Sequence, residues 1–318
     1  MEINGIEIKP GENKTVKIRV GKLPSGTHIN IFAHVFRSKN EGKTVLLSGG
    51  IHGDEINGVE IVRKAIEKEY FDDLKQGTAI VIPLVNVYGF INFSRHVPDG
   101  KDVNRSFPGS NTGSLASRVA RKLTKFILPH IDFGIDFHTG GGSRYNYPQI
   151  RYSRQNEESK KLAEIFNAPF IIEKPLIPRS LRKVANDMNI PVIVYEGGES
   201  ARFDSFAIKT GLQGIRNILS HFGMIESGDA GNTEDKNKGI HINKTSWIRS
   251  RDSGIFHLLK KSGEYVHEKE ILGVLKDVMG ERSKNIISRK NAYILGHNNA
   301  PVVNMGDALF NLGWYEEK

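Results

Sequence analysis

Between Thr44 and Phe222, short apolar runs rich in β-branched residues alternate with stretches of helical periodicity. The runs are Val45-Leu46-Leu47, Ala79-Ile80-Val81-Ile82, Phe133-Gly134-Ile135-Asp136-Phe137 and Val192-Ile193-Val194-Tyr195. Runs this short and apolar predict central strands, and helices are predicted over Ile56–Glu69, Leu115–Leu128, Glu157–Phe166 and Asp204–His221. Strand and helix in turn specify an α/β domain around a largely parallel or mixed sheet. Two amino-terminal runs, Thr15–Val20 and His28–Phe36, predict an antiparallel pair at the edge of that sheet.

In such sheets ligands gather beyond the carboxyl ends of the strands, where His52, Asn86, His138 and Glu196 all fall. His52 and Glu55 form an H-x-x-E pair at a strand-to-helix turn, so both can reach one ion. A catalytic zinc takes three nitrogen or oxygen ligands and keeps one position open. His138, delivered by a second strand into Thr139-Gly140-Gly141-Gly142, is the candidate third ligand. An isolated H-x-x-E pair also suits a polar helix cap. Here Gly49, Gly50 and Gly53 allow close backbone approach, and Asp54-Glu55 favours the positive end of a helix. Glu196, a strand-end carboxylate outside the ligand set, suits a general base, its bland alternative being a salt bridge.

The chain of 318 residues has no cysteine, which excludes disulfides, thiolate metal sites and cysteine nucleophiles. Any metal must be held by histidine and carboxylate. The formal charge of +9 is spread among acids, as in Glu157-Glu158-Ser159-Lys160-Lys161, which predicts a solvated surface and no nucleic-acid partner. The start, Met1 to Glu7, lacks the features of a signal peptide, and no apolar segment is long enough to span a bilayer, so the expectation is a cytoplasmic protein with no membrane partner.

Three arginines and an asparagine suit substrate binding. Asn104 and Arg105, in the loop from Asp102 to Gly109, offer an amide and a planar fork for a carboxylate. Arg95 is placed to stabilise an oxyanion. Arg182, at a predicted helix start, is a candidate for a second anionic group on the substrate, although solvent exposure is the ordinary fate of an arginine.

After Met224 the composition turns polar and aperiodic from Glu226 to Gly239, which predicts a linker. Beyond it, short runs punctuated by Gly254, Gly263, Gly273, Gly280, Gly296 and Gly306 predict a small all-β domain from Ile240. The expected division is a catalytic domain over residues 1–225, then a linker and β domain over residues 226–318.

Taken in order, Gly49-Gly50-Ile51-His52-Gly53-Asp54-Glu55, Asp102-Val103-Asn104-Arg105-Ser106-Phe107-Pro108-Gly109, Asp136-Phe137-His138-Thr139-Gly140 and Tyr195-Glu196-Gly197-Gly198 resemble the succinylglutamate desuccinylase/aspartoacylase family, a branch of the zinc carboxypeptidase-like fold. The resemblance implies a zinc carboxypeptidase-like mixed sheet flanked by helices. It implies one Zn²⁺ held by His52, Glu55 and His138, with Glu196 as general base and Arg95 polarising the scissile carbonyl. Asn104 and Arg105 would hold the carboxylate of a small anionic N-acyl amino acid, whose amide is hydrolysed. The tail is similar to the family's appended domain, shaped like biotinyl and lipoyl carrier domains. It has no evident lysine at a hairpin tip, which implies no covalent cofactor but a narrowing of the active-site mouth or a homo-oligomer contact. Tyr293 is expected to be a packed strand residue. The competing readings are a zinc carboxypeptidase acting on peptides and a metal-binding, non-catalytic relative that recruits partners.

Overall fold

The structure, a computed structural model, describes residues 1–226 and 238–317. The central part of the expected linker lies outside the described residues. The four predicted strands form Thr44–Gly49, Thr78–Ile82, Phe133–Gly140 and Val192–Glu199. They pair in parallel, in the order Val192–Glu199, Phe133–Gly140, Thr44–Gly49, Thr78–Ile82. His28–Arg37 and Asn13–Lys22 continue the sheet as the expected antiparallel pair at its edge.

The pleat sends alternate side chains into two cores. Leu46, Ile80 and Ile82 pack with Val119, Leu123 and Leu181, which belong to helices Leu115–Phe126 and Leu181–Asp187 on one face. Val45, Leu47 and Val81 pack on the other face with Ile61, Leu162 and Ile215, from helices Ile56–Glu67, Glu157–Phe166 and Ser205–His221. A core leucine on either face contributes about 2–5 kcal/mol over alanine. Four of these helices begin at a short polar cap: Ser114, Asn156, Ser180 and Asp204 each accept a hydrogen bond from a backbone N–H three residues on. Helix Ile56–Glu67 does not. Glu55 occupies its cap position but makes no capping bond, because its carboxylate is turned elsewhere, as described below.

Two strands of the sheet, Arg144–Tyr152 and Phe170–Glu173, which pair in parallel, were not legible in the sequence. Arg144–Tyr152, carrying Asn146, Pro148 and Gln149, pairs antiparallel with Val192–Glu199 on one side and with Ala292–Asn298 on the other. Through it the sheet runs on into the tail as Ala292–Asn298, Ala308–Trp314 and Lys244–Arg249. Ile240–Ile242 and Tyr265–Val266 also join this sheet, while the other tail strands, Ser283–Ile287, Ile271–Lys276, Gly254–Leu258 and Val302–Val303, form an antiparallel sheet of their own. Phe256, Leu275, Leu309 and Phe310 fill the core of this all-β region. Tyr293 packs between Phe170 and Tyr265. Among the described residues no helix is long and apolar enough to cross a membrane.

At the seam between the strands Ala292–Asn298 and Arg144–Tyr152, buried His297 stacks on Tyr145 with ring centroids 5.3 Å apart. Its Nδ1 accepts the Ser262 backbone N–H at 3.1 Å, and burial pushes its pKa down from 6.5 to about 4. Between those values the unfolded chain binds a proton that the folded one refuses, so stability rises with pH there. We expect this histidine's contribution to be complete above its unfolded value and lost as the pH falls toward 4, by about 2–3 kcal/mol in all. Urea midpoints measured from pH 4.5 to 7 should show a shallower acid limb in His297→Gln than in the native protein.

Candidate active site

The strand Thr44–Gly49 ends in a turn that only glycine permits. Gly50 has φ +62°, and a Cβ on Gly53 would lie 1.9 Å from the carbonyl carbon of Gly89. This tight turn folds His52 and Glu55 over the end of the sheet. His138, on the neighbouring strand Phe133–Gly140, stands in register beside Glu196.

His52 Nδ1 is 2.7 Å from Glu55 Oε1, and His138 Nδ1 is 2.8 Å from Glu55 Oε2. All three residues are buried, and donor atoms of the set lie within 4.8 Å of one another. The far ring nitrogens are also held: His52 Nε2 is 3.2 Å from Asp102 Oδ1, and His138 Nε2 is 2.8 Å from Asp136 Oδ2. Asp136 in turn accepts the Ser48 hydroxyl at 2.8 Å. A carboxylate on the outer nitrogen fixes the tautomer whose inner nitrogen carries a lone pair, as metal-binding histidines require. Two imidazoles and one carboxylate, converging and braced from behind, therefore fit one divalent ion, and a set of this kind is one that zinc accepts.

The electrostatics show how tightly these groups are paired. Burial alone would raise the Glu55 carboxyl, but His52 and His138 overcome it and hold the pKa well below the usual carboxylate range. Burial would lower His138, yet Asp136 and Glu55 hold it well above its ordinary value. His52 is raised for the same reason, by Glu55 and Asp102 against burial.

The sequence expectations meet around one cavity of about 230 Å³, lined by His52, Glu55, His138, Glu196, Arg95, Asn104, Arg105 and Arg182. Arg95 donates to Glu55 Oε1 at 3.2 Å and, through Nε and Nη2, to Asp102 Oδ2 at 3.1 and 2.9 Å. Asp102, unremarked in the sequence, is thus the hub that braces both His52 and Arg95. Burial raises its carboxyl, but His52 and Arg95 draw it far below the ordinary range. Asn104 Oδ1 accepts the Leu181 N–H at 2.9 Å, which fastens the helix bearing Arg182. Arg105 is exposed at the rim and donates to the Asn104 carbonyl at 2.7 Å.

Two residues depart from their sequence reading. Arg182 is buried rather than exposed: Nη2 donates to the Pro175 carbonyl at 2.6 Å, while Nη1 is buried without a hydrogen-bond partner among the described residues. Asn86 does not line the cavity. It accepts the Gly89 N–H at 2.9 Å as the cap of the short helix Val87–Ile91 and donates to the Arg95 carbonyl at 3.3 Å. Its place at a strand end serves the loop that carries Arg95.

Several lining residues carried no sequence signal. Asn146 and Arg151 come from the unanticipated strand Arg144–Tyr152, and Trp247 comes from the tail. The tail therefore contributes to the cavity wall directly, and a hydrogen bond from Lys174 to the Thr245 hydroxyl ties it to the segment leading to Arg182.

Residues 41–222 match the family model described as the succinylglutamate desuccinylase/aspartoacylase catalytic domain. The chain belongs to that family. It is similar to an N-alpha-acetyl-L-2,4-diaminobutyric acid deacetylase of Halomonas elongata, 27% identical over 284 residues that cover 85% of this chain and 82% of the relative. Its fold is shared with a succinylglutamate desuccinylase/aspartoacylase from Rhodobacter sphaeroides, at TM-score 0.85 and 24% identity, covering 96% of each chain. It is shared too with a product-bound ectoine utilization protein from Ruegeria pomeroyi, at TM-score 0.83 and 20% identity, covering 97% of this chain and 99% of that one.

Proposed function

We propose that this family member is a zinc-dependent hydrolase that removes the acyl group from a small N-acylated amino acid carrying a second anionic group. The observation that carries the reading is that Glu196, which is not one of the converging donors, lines the same cavity as His52, Glu55 and His138. Held by those three residues, zinc would supply Lewis acidity to the acyl carbonyl and make water a stronger acid. Glu196 takes the proton of the attacking water and returns it to the departing amine. Arg95, aimed by Asp102, offers positive charge to the developing oxyanion. Asn104 and Arg105 hold the carboxylate of the amino acid.

The second anionic group is inferred from uncompensated buried charge. Burial and the nearby Arg151 push Arg182 down to about 10 and Lys174 down to about 8, and Glu196 is the acid that acts on both. A buried guanidinium with an unpartnered Nη1 is costly unless a ligand supplies the missing acceptor. Trp247 and Ile177, half-exposed apolar residues of the lining, form the wall available to the acyl group. A cavity of about 230 Å³ disfavours the peptide-cleaving alternative, since sites for drug-sized ligands span roughly 300–1,000 Å³. The same reading treats the mixed sheet as a carboxypeptidase-like core and residues 226–318 as a linker and carrier-like β domain that narrows the mouth. It is supported by the separate antiparallel sheet of the tail and by Trp247 in the cavity wall.

The test is a screen of N-acyl amino acids for released amine, with metal content measured in parallel. N-acetylaspartate-like diacids should exceed neutral and cationic analogues. For Arg182→Gln we expect kcat/KM on a diacid to fall about 10- to 100-fold, as for loss of a charged hydrogen bond, with a neutral analogue changing far less. Equal losses on both would remove Arg182 from substrate recognition.

A further inference from the structure

We propose that Asn146 and Arg151 are positioning residues for Glu196, clamping its carboxylate with one donor on each oxygen. The inference rests on the reading of Glu196 as general base. Arg151 Nη1 donates to Glu196 Oε1 at 2.7 Å, and Asn146 Nδ2 donates to Oε2 at 2.8 Å. Glu196 is buried, as is Asn146, and both donors line the cavity.

The backbone is shaped to deliver this clamp. Residues five apart on a regular strand point to opposite faces. Here Glu196 pairs with Gln149 and Gly198 with Asn146, so two residues of one strand oppose three of the other. This slip of one residue returns Asn146 to the face that carries Arg151, the re-aiming that a β-bulge performs. On the partner strand, pairing with Phe133–Gly140 is also interrupted after Glu196, and Gly198 there has φ +82°. Two irregular segments meet at one carboxylate.

An unclamped glutamate has three rotatable side-chain bonds and reaches a productive geometry only part of the time, which lowers the effective concentration of the base. A carboxylate offers about four acceptor directions. The two clamping bonds use one on each oxygen, leaving each free to take a proton from water. A salt bridge that merely stabilised the fold would need neither the slip nor the second donor.

The test compares Arg151→Gln, Asn146→Ala and the conservative Arg151→Lys in the metal-loaded full chain, using a monoanionic N-acyl amino acid from the screen. We expect kcat to fall about 10- to 100-fold in Arg151→Gln and Asn146→Ala, with KM within about threefold, and Arg151→Lys to recover part of the loss. Added guanidine should raise the activity of Arg151→Ala. A kcat within twofold of the native value, or a loss confined to KM, would overturn the clamp. Carbon-13 NMR of glutamate-labelled protein supplies a readout that needs no turnover. The Glu196 carboxyl signal, assigned by its absence in Glu196→Gln, should shift in both Arg151→Gln and Asn146→Ala, and an unmoved signal would overturn the clamp. If the native chain hydrolyses none of the substrates, the deacylase reading fails and the NMR result alone decides whether the clamp exists.

Discussion

Glu196→Gln is expected to lower kcat by about 10²- to 10⁴-fold while leaving metal content and fold intact. The amide keeps the size of the carboxylate but cannot take a proton from water. Its NH₂ would face a donor from Arg151 or Asn146, so one clamping bond is also lost. Because Glu196 is outside the converging His52, Glu55 and His138 set, metal bound per chain should be unchanged. Elemental analysis beside steady-state kinetics checks both halves. Full activity in the variant would remove Glu196 from the chemistry, whereas loss of metal together with activity would make it part of the metal site.

Removing the metal should abolish turnover, and about one equivalent of zinc should restore it in the native chain but not in His138→Ala. The pH dependence has a definite sign. In the metal-free protein His138 is held well above its ordinary value, and His52 is raised as well, by carboxylates that overcome burial. The carboxylates that raise both histidines therefore oppose the loss of ring protons that metal binding requires. Apparent zinc affinity should weaken as the pH falls, by about tenfold per pH unit for each proton displaced. The metal-free protein alone behaves in the opposite sense. A histidine with a raised folded pKa stabilises the fold fully below its unfolded value of 6.5, and that contribution disappears as the pH rises through the folded value. Competition against a chromophoric chelator at pH 6, 7 and 8 measures the first trend, and chemical denaturation of metal-free protein the second. An affinity independent of pH would mean that the histidines are already neutral before loading.

Much of this site was legible because its chemistry is carried by local pattern. Four apolar runs marked the central strands, and strand ends are where such sheets place ligands, so His52, His138 and Glu196 could be found from position and residue type. Glu55 followed from its spacing to His52, and the structure separates it from a simple helix cap: its side chain makes no capping bond, since its oxygens are engaged by His52, His138 and Arg95.

What the amino-acid order could not reveal depends on contacts between distant segments. Arg144–Tyr152 has a polar, proline-containing sequence that resembles a loop, and it becomes an internal strand only because Val192–Glu199 and Ala292–Asn298 pair with its two edges. The one-residue slip that brings Asn146 and Arg151 to the same carboxylate has no period to detect. For Arg182 the sequence left open a substrate-binding arginine or a solvent-exposed one, and its burial arises from its place beside Arg151 and the segment from Lys174 to Pro175. Asp102 and Trp247 likewise enter the site only when a loop and a tail strand fold against it. Local sequence thus determined the strand and helix order, the donor types and the candidate base, because backbone periodicity and ligand chemistry act over a few residues. The tertiary structure alone decided which side chains orient those groups and what charge surrounds them, because burial, register and electrostatic balance are properties of segments brought together by folding.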